Sequence, residues 1–177
     1  MDSDQELIEL VNEGDPDAFE ALYYRYRDWV YRLAWRFTGN QQDALDVLQE
    51  TFIYLLGKFP GFSLTASMTT FLYPVVKHLS LAIRSKNRRF TTDEEILSEL
   101  PAPVSKETGR SRSELAAVLT VLPDEQREVL LMRFVDDMSL KEIATALNIP
   151  IGTVKSRLHH ALRILRHDRR TRDYFLE

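Results

Sequence analysis

Six side chains near the C-terminus have the types and spacing to dock on a polyanion: Lys155, Ser156, Arg157, His159, His160 and Arg163. At 100° per residue, Ser156, His159, His160 and Arg163 fall on one side of a helix, flanked by Lys155 and Arg157. Val154, Leu158, Ala161, Leu162 and Leu165 fall on the other side and predict its buried face. A helix divided this way fits a DNA major groove about 12 Å wide, where polar and basic side chains near its N-terminal half reach base edges.

The elements that must position that helix lie just upstream. Ser139 and Glu142 form a capping box, opening a helix with Leu140, Ile143, Ala144 and Leu147 at i, i+3, i+4 and i+7. Asn148, Ile149 and Pro150 break it, since Asn tolerates the left-handed backbone of a tight turn. Residues 139–166 therefore predict a helix-turn-helix that docks on double-stranded DNA. A plain helical hairpin with a solvated basic face would account for the charges alone. The cap, the turn, the small Ala144 at the helix crossing and the polar outer face coincide within about 25 residues, which favours DNA.

Charge is unevenly spread along the 177 residues, whose net charge is only -4. Residues 1–20 carry eight carboxylates and no Lys or Arg, whereas 61–92 carry Lys77, Arg84, Lys86, Arg88 and Arg89 without a carboxylate. A second basic zone, 141–172, holds eight Lys and Arg against Glu142 and Asp168. Where a polyanion docks depends on this asymmetry more than on the net value. The 44% apolar content supports a buried core, and the absence of cysteine excludes disulfides, thiolate zinc sites and cysteine catalysis. His78, His159, His160 and His167 show no metal-ligand spacing, and no glycine-rich phosphate loop or nucleophile elbow occurs. No metal, cofactor or enzyme activity is expected. No apolar run approaches the roughly 20 residues of a membrane helix, so no membrane insertion is expected and a cytoplasmic location is.

Helical periodicity runs through nearly the whole chain. Ser3 and Glu6 predict a cap for a short helix through Leu7, Leu10 and Val11. Asp15 and Pro16 open a second helix, with Phe19, Leu22, Tyr23, Tyr26, Val30, Leu33, Ala34 and Phe37 on one stripe and Gly39 ending it. A third covers about 41–56, with Ala44, Val47, Leu48, Thr51, Phe52 and Leu55 inward, and a fourth roughly 67–88. Polar and Pro-containing residues 91–112 predict a linker. Beyond it Ser111 and Glu114 form another capping box, and Pro123 starts a helix through Val129, Leu130 and Phe134. The expectation is an all-α protein of two small helical domains, 1–90 and 113–177, joined by a flexible linker.

LPDEQREVLLMR at 122–133, SLKEIA at 139–144 and GTVKSRL at 152–158 together resemble region 4 of bacterial RNA polymerase sigma factors, closest to the extracytoplasmic-function group. FEALY at 19–23 and DALDVLQETF at 43–52 resemble region 2 of the same group. The resemblance covers roughly 15–90 and 113–166. It implies a region 2 helical bundle, a region 4 helix-turn-helix, and a specificity subunit that binds core RNA polymerase and promoter DNA without chemistry of its own. It also implies an anti-sigma factor as partner. Asp43, Asp46, Gln49 and Glu50 would face the polymerase, although Leu45 stands where the group commonly has an acid.

The loop 59–67 and the start of the next helix would hold the melted −10 strand, which needs aromatic platforms and cations. Phe62, Ser63, Phe71, Lys77, Arg84, Lys86 and Arg88 carry that expectation, with Tyr73 as a further aromatic; Phe71 also suits the core. Phe71 stands for the group's usual Trp, His78 near a common Asn, and Pro74 falls inside the helical pattern. Lys155, Ser156, His159 and His160 would read the duplex −35 element, with Arg157 and Arg163 near phosphates. A stand-alone helix-turn-helix regulator, or a sigma mimic that titrates an anti-sigma factor, are the alternative readings.

Overall fold

Side-chain caps open several of the helices. The computed structural model describes residues 3–90 and 119–168, with side chains to residue 86 in the first stretch. In α1 (Asp4–Asn12) the Ser3 hydroxyl accepts the Glu6 amide, and the Glu6 carboxylate accepts the Ser3 amide. The bond from the Ser3 amide, then that from its hydroxyl, holds the Glu6 carboxyl below the usual carboxylate range. The cap is therefore complete at neutral pH and weakens as acid protonates Glu6. Asp15 caps α2 (Pro16–Thr38) through the Asp17 and Ala18 amides, and Gly39 closes it at φ 80°. That left-handed conformation strains any residue with a Cβ. Asn40 caps α3 (Gln41–Leu56) by accepting the Asp43 amide at 2.8 Å.

Helix α4 (Met68–Phe90) follows Ser67, whose hydroxyl accepts the Thr70 amide at 3.3 Å. Pro74 lies in its second turn, with its ring exposed. The helix thus runs through Pro74, at the cost of the bond its N–H would have given the Thr70 carbonyl.

The chain divides into two compact units, Met1–Pro101 and Ala102–Glu177. In the first, α2 packs against α1, α3 and α4, and α3 also meets α4. Leu22, Val30, Leu33 and Ala34 of α2 are sealed from solvent with Ala44, Val47 and Leu55 of α3 and Leu72, Tyr73 and Val76 of α4. Burial of each large aliphatic side chain is worth about 1.5–3 kcal/mol. In α1 the inward residues are Leu7, Ile8 and Val11; Leu10, expected among them, is 38% exposed. Asp4 ties α1 to α2, accepting from Arg25 at 2.6 Å and from the Tyr26 hydroxyl. Burial, then the bond to Asp4, pushes the Tyr26 hydroxyl above the ordinary phenol range.

The second unit is built on α5 (Asp124–Phe134), α6 (Leu140–Leu147) and α7 (Ile151–His167), with α7 packed on both of the others. Leu122, Leu130, Ala161 and Leu165 form a buried cluster, with Leu119, Leu158, Leu162 and Ile164 around it. Phe134, expected inward, is 62% exposed; it is the last residue of α5, beyond the buried Val129, Leu130 and Met132. The described residues contain helices and turns and no strand. None of the described helices is long and apolar enough to cross a membrane. The linker expected at 91–112 and the cap at Ser111 and Glu114 lie outside the described residues.

The Ser139 hydroxyl accepts the Glu142 amide, and the Glu142 carboxylate accepts the Ser139 amide. Replacing Ser139 with Ala is expected to cost about 1 kcal/mol of local stability. Hydrogen exchange at the Glu142 amide should quicken accordingly; an unchanged rate would remove the cap from the list of stabilising contacts.

Candidate nucleic-acid interfaces

The turn ahead of α7 sets which face of that helix meets solvent. Asn148 adopts φ 52°, and the amides of Asn148 and Ile149 bond back to the Thr145 and Ala144 carbonyls at 3.2 and 3.0 Å. The chain reverses there and α7 begins at Ile151. Val154, Ala161 and Leu165 enter the core, which leaves Lys155, Ser156, His159 and Arg163 exposed. His160 is half-buried, its ring 5.8 Å from that of His159. The two flanking positions also differ, Lys155 being exposed and Arg157 half-buried. Arg157 pairs with Glu125 of α5 at 2.5 Å, and its side chain is 23% exposed. It lies at the edge of the outer face nearest α5, where the carboxylate captures it. Ile151, which a search for polar readers passes over, is 39% exposed one turn before Lys155.

In the first unit the loop after α3 is held from a distance. Asn12, the last residue of α1, accepts the Gly61 and Phe62 amides on Oδ1 at 2.6 and 3.0 Å, and its Nδ2 donates to the Phe62 carbonyl at 2.8 Å. Gly61 sits at φ 96°, a backbone that glycine adopts without strain. The Phe62 ring then lies 5.3 Å from Phe59 and 4.8 Å from Phe71, and Phe71 stacks near Tyr54 at 6.4 Å. Phe62 and Phe71 are half-buried links in this aromatic chain. Its outer end, Tyr54, is 43% exposed and carries Lys58 Nζ 4.4 Å from the ring centroid. An exposed aromatic beside a cation can stack an unpaired base and hold its phosphate.

Tyr73 is corrected from a candidate base platform to core. It is 1% exposed, edge-on to Phe37 at 6.1 Å. Residues two apart on a helix stand about 160° from each other, so Phe71 and Tyr73 do not share a face, and Phe71 is the one whose ring lies by Phe62. Ser63 and Lys86 are exposed and Lys77 is half-buried. Arg84 is exposed yet engaged: its guanidinium donates to the Phe37 carbonyl at 3.1 Å, at the negative end of α2. The Arg88 side chain lies outside the described residues.

On α3, Asp46, Gln49 and Glu50 are exposed, while half-buried Asp43 accepts from the Asn40 side chain at 2.8 Å. The acids do not stand alone. Leu45, Ile53 and Leu56 are 41%, 53% and 52% exposed, and with Gln49 they fall within about 80° of arc. The outer face of α3 is thus an apolar strip edged by carboxylates. The resemblance singled out Leu45 alone; Ile53 and Leu56 fall outside the inward stripe that periodicity names, and periodicity by itself does not show that off-stripe apolar residues form a strip.

Residues 22–90 match the family model for Sigma-70 region 2, and residues 112–165 that for Sigma-70 region 4. The ECF RNA polymerase sigma factor SigW of Bacillus subtilis is 33% identical over 176 residues, covering 90% of this chain and 92% of that protein. The chain belongs to the ECF sigma factors. The sigma-H factor of Pseudomonas aeruginosa is similar as well, at 29% identity with 91% of each chain covered. Among solved structures, CnrH in complex with the cytosolic domain of CnrY matches this sigma factor at a TM-score of 0.67 and 22% identity, over 92% of this chain and 94% of that one. RpoE in complex with the anti-sigma factor NepR from Bartonella quintana matches at a TM-score of 0.62 and 18% identity, over 84% and 94%. At those identities the likeness is one of fold.

The Arg84 bond gives this sigma factor a stability test at a basic position. Arg84→Ala should lower stability to urea by about 0.5–1.5 kcal/mol through loss of the donor to Phe37. Unchanged stability would leave Arg84 as a surface cation only.

Proposed function

We propose that the chain is the promoter-specificity subunit of a bacterial RNA polymerase, binding the core enzyme through α3, holding the melted −10 strand at the loop 59–67, and reading the −35 duplex with α7. One observation carries this reading. A single chain with regions 2 and 4 of the family bears two chemically different faces, an aromatic loop edged by cations and an open basic helix-turn-helix. Stacking rings suit unpaired bases, whereas a basic helix suits an intact groove.

The apolar strip of Leu45, Ile53 and Leu56 supplies the buried area for a polymerase contact, and Asp46 and Glu50 at its edge favour a basic partner surface. In α7, Lys155, Ser156, His159 and His160 reach for base edges and Arg163 for phosphate. Arg157, held by Glu125, steadies α7 rather than serving as a phosphate ligand. Phe62 and Phe71, with Ser63, Lys77, Lys86 and Arg88, contact the −10 strand; Tyr54 and Lys58 join them. The subunit has no catalytic role, since the polymerase makes the phosphodiester bonds, and it works in the cytoplasm with that enzyme. An anti-sigma factor is the expected regulator, as the RpoE neighbour was solved bound to one. The two domains are 1–90 and 113–177, with 91–112 between them.

Transcription by core polymerase on a randomised promoter library, with and without the chain, tests the reading directly. Promoter-selective transcripts should appear only with the chain; intact core binding without selective transcripts would favour a mimic that titrates an anti-sigma factor. Asp46→Lys is expected to weaken core binding at least tenfold, roughly the cost of a charge reversal at an interface, and to leave −35 duplex binding alone. Loss of both would indicate misfolding. For duplex binding, Arg163→Ala should reduce the salt slope by about 1, while Arg157→Ala leaves the slope unchanged. Equal slopes for the two variants would return Arg157 to the phosphate contacts.

A further inference from the structure

The clasp on the loop 59–67 comes from a helix outside the matched family region, since α1 ends at Asn12 and that match starts at residue 22. One side chain there makes three hydrogen bonds to backbone 49 and 50 residues away. They grip the peptide groups on both sides of the Phe62 Cα, so the direction of its Cα–Cβ bond is set from α1. The clasp is itself rigidly mounted. Leu7, Ile8 and Val11 bury α1, Asp4 pins it to Arg25 and Tyr26, and the Asp15 amide bonds back to the Leu10 carbonyl at 3.0 Å. The chemistry is also specific to an amide. Two acceptor contacts and one donor contact are used at once, which a carboxylate or an alkyl group of the same size cannot reproduce.

A ring that captures an unstacked base selects among bases only if its own orientation is held. From this geometry, and resting on the reading that the loop 59–67 holds the melted −10 strand, we propose that Asn12 is a positioning residue for −10 recognition. It touches no DNA. It fixes the loop backbone so that Phe62, braced between Phe59 and Phe71, presents one constant surface to the strand. Without the clasp, the Gly61 and Phe62 amides turn to water, and the ring samples several orientations that fit several bases.

Two promoter libraries test this with the full chain on core polymerase, one randomised at −10 and one at −35, read by counting transcripts. Asn12→Ala should flatten the −10 base preference by about tenfold, the order expected for losing a hydrogen-bonded clasp. The −35 preference and core affinity should stay at wild-type values. Asn12→Asp keeps the acceptor for both amides and loses the donor, so the same selective fall should appear at smaller size; this variant decides the matter if Asn12→Ala does not fold. An unchanged −10 preference in Asn12→Ala overturns the assignment. So does a parallel fall of −10 preference, −35 preference and core affinity in both variants, which marks Asn12 as structural only. A wild-type chain with no −10 preference at all overturns the functional reading and this inference with it.

Discussion

Burial of the α2 stripe is the constraint on which the first unit depends. Leu22, Val30, Leu33 and Ala34 are spread along a 23-residue helix, and each is closed off from solvent. Three helices therefore share it, α1, α3 and α4 each packing on α2. Once α3 and α4 are both committed to α2, the segment between them must leave the end of α3 and return to Ser67. That detour is the loop 59–67, and its aromatic residues Phe59 and Phe62 lie outside the buried α2 stripe. Phe59 and Phe62 pack at its margin instead, Phe59 against Phe19 of α2 and Phe62 against Phe71 of α4, which in turn lies by Tyr54 of α3. The aromatic face is thus a consequence of how the bundle closes.

Electrostatics divides labour over the same scaffold. Carboxylates edge the apolar strip of α3, whereas cations line α4 and α7. Several apparent cations are already engaged: Arg84 on the Phe37 carbonyl, Arg157 on Glu125, and Arg127 on the carbonyls of Leu119, Thr120 and Leu122. A carbonyl holds a guanidinium in place without removing its charge, whereas the Glu125 carboxylate also offsets that of Arg157. What a cation adds to DNA binding is one neutralised phosphate and its increment of counterion release. A subunit that binds promoters together with polymerase also gains from tethering, which makes the second contact intramolecular.

Local signals in the chain carried most of the architecture. The caps at Ser3, Asp15 and Ser139, the left-handed stops at Gly39 and Asn148, and the inward sets of α2, α3 and α7 are short-range patterns that obey the helical repeat. Errors fell where more than one face was possible. Leu10 and Phe134 are apolar yet exposed, and Tyr73 is aromatic yet core. Helical periodicity names a stripe but not which residue at its margin meets a neighbour.

The sequence by itself determined the all-helical class, the helix-turn-helix, the family resemblance and the basic outer face of α7, because each rests on contacts within a few residues or on a linear motif. Only the tertiary structure decided which side chains are available to a partner. Glu125 takes Arg157 from an adjacent helix, Phe37 takes Arg84 from 47 residues away, and Asn12 reaches Phe62 across 50. No linear pattern encodes such pairs. A hydrogen-bonding group is satisfied by whatever the packing of apolar stripes brings within 3 Å, and that distance is set by the whole bundle rather than by either segment.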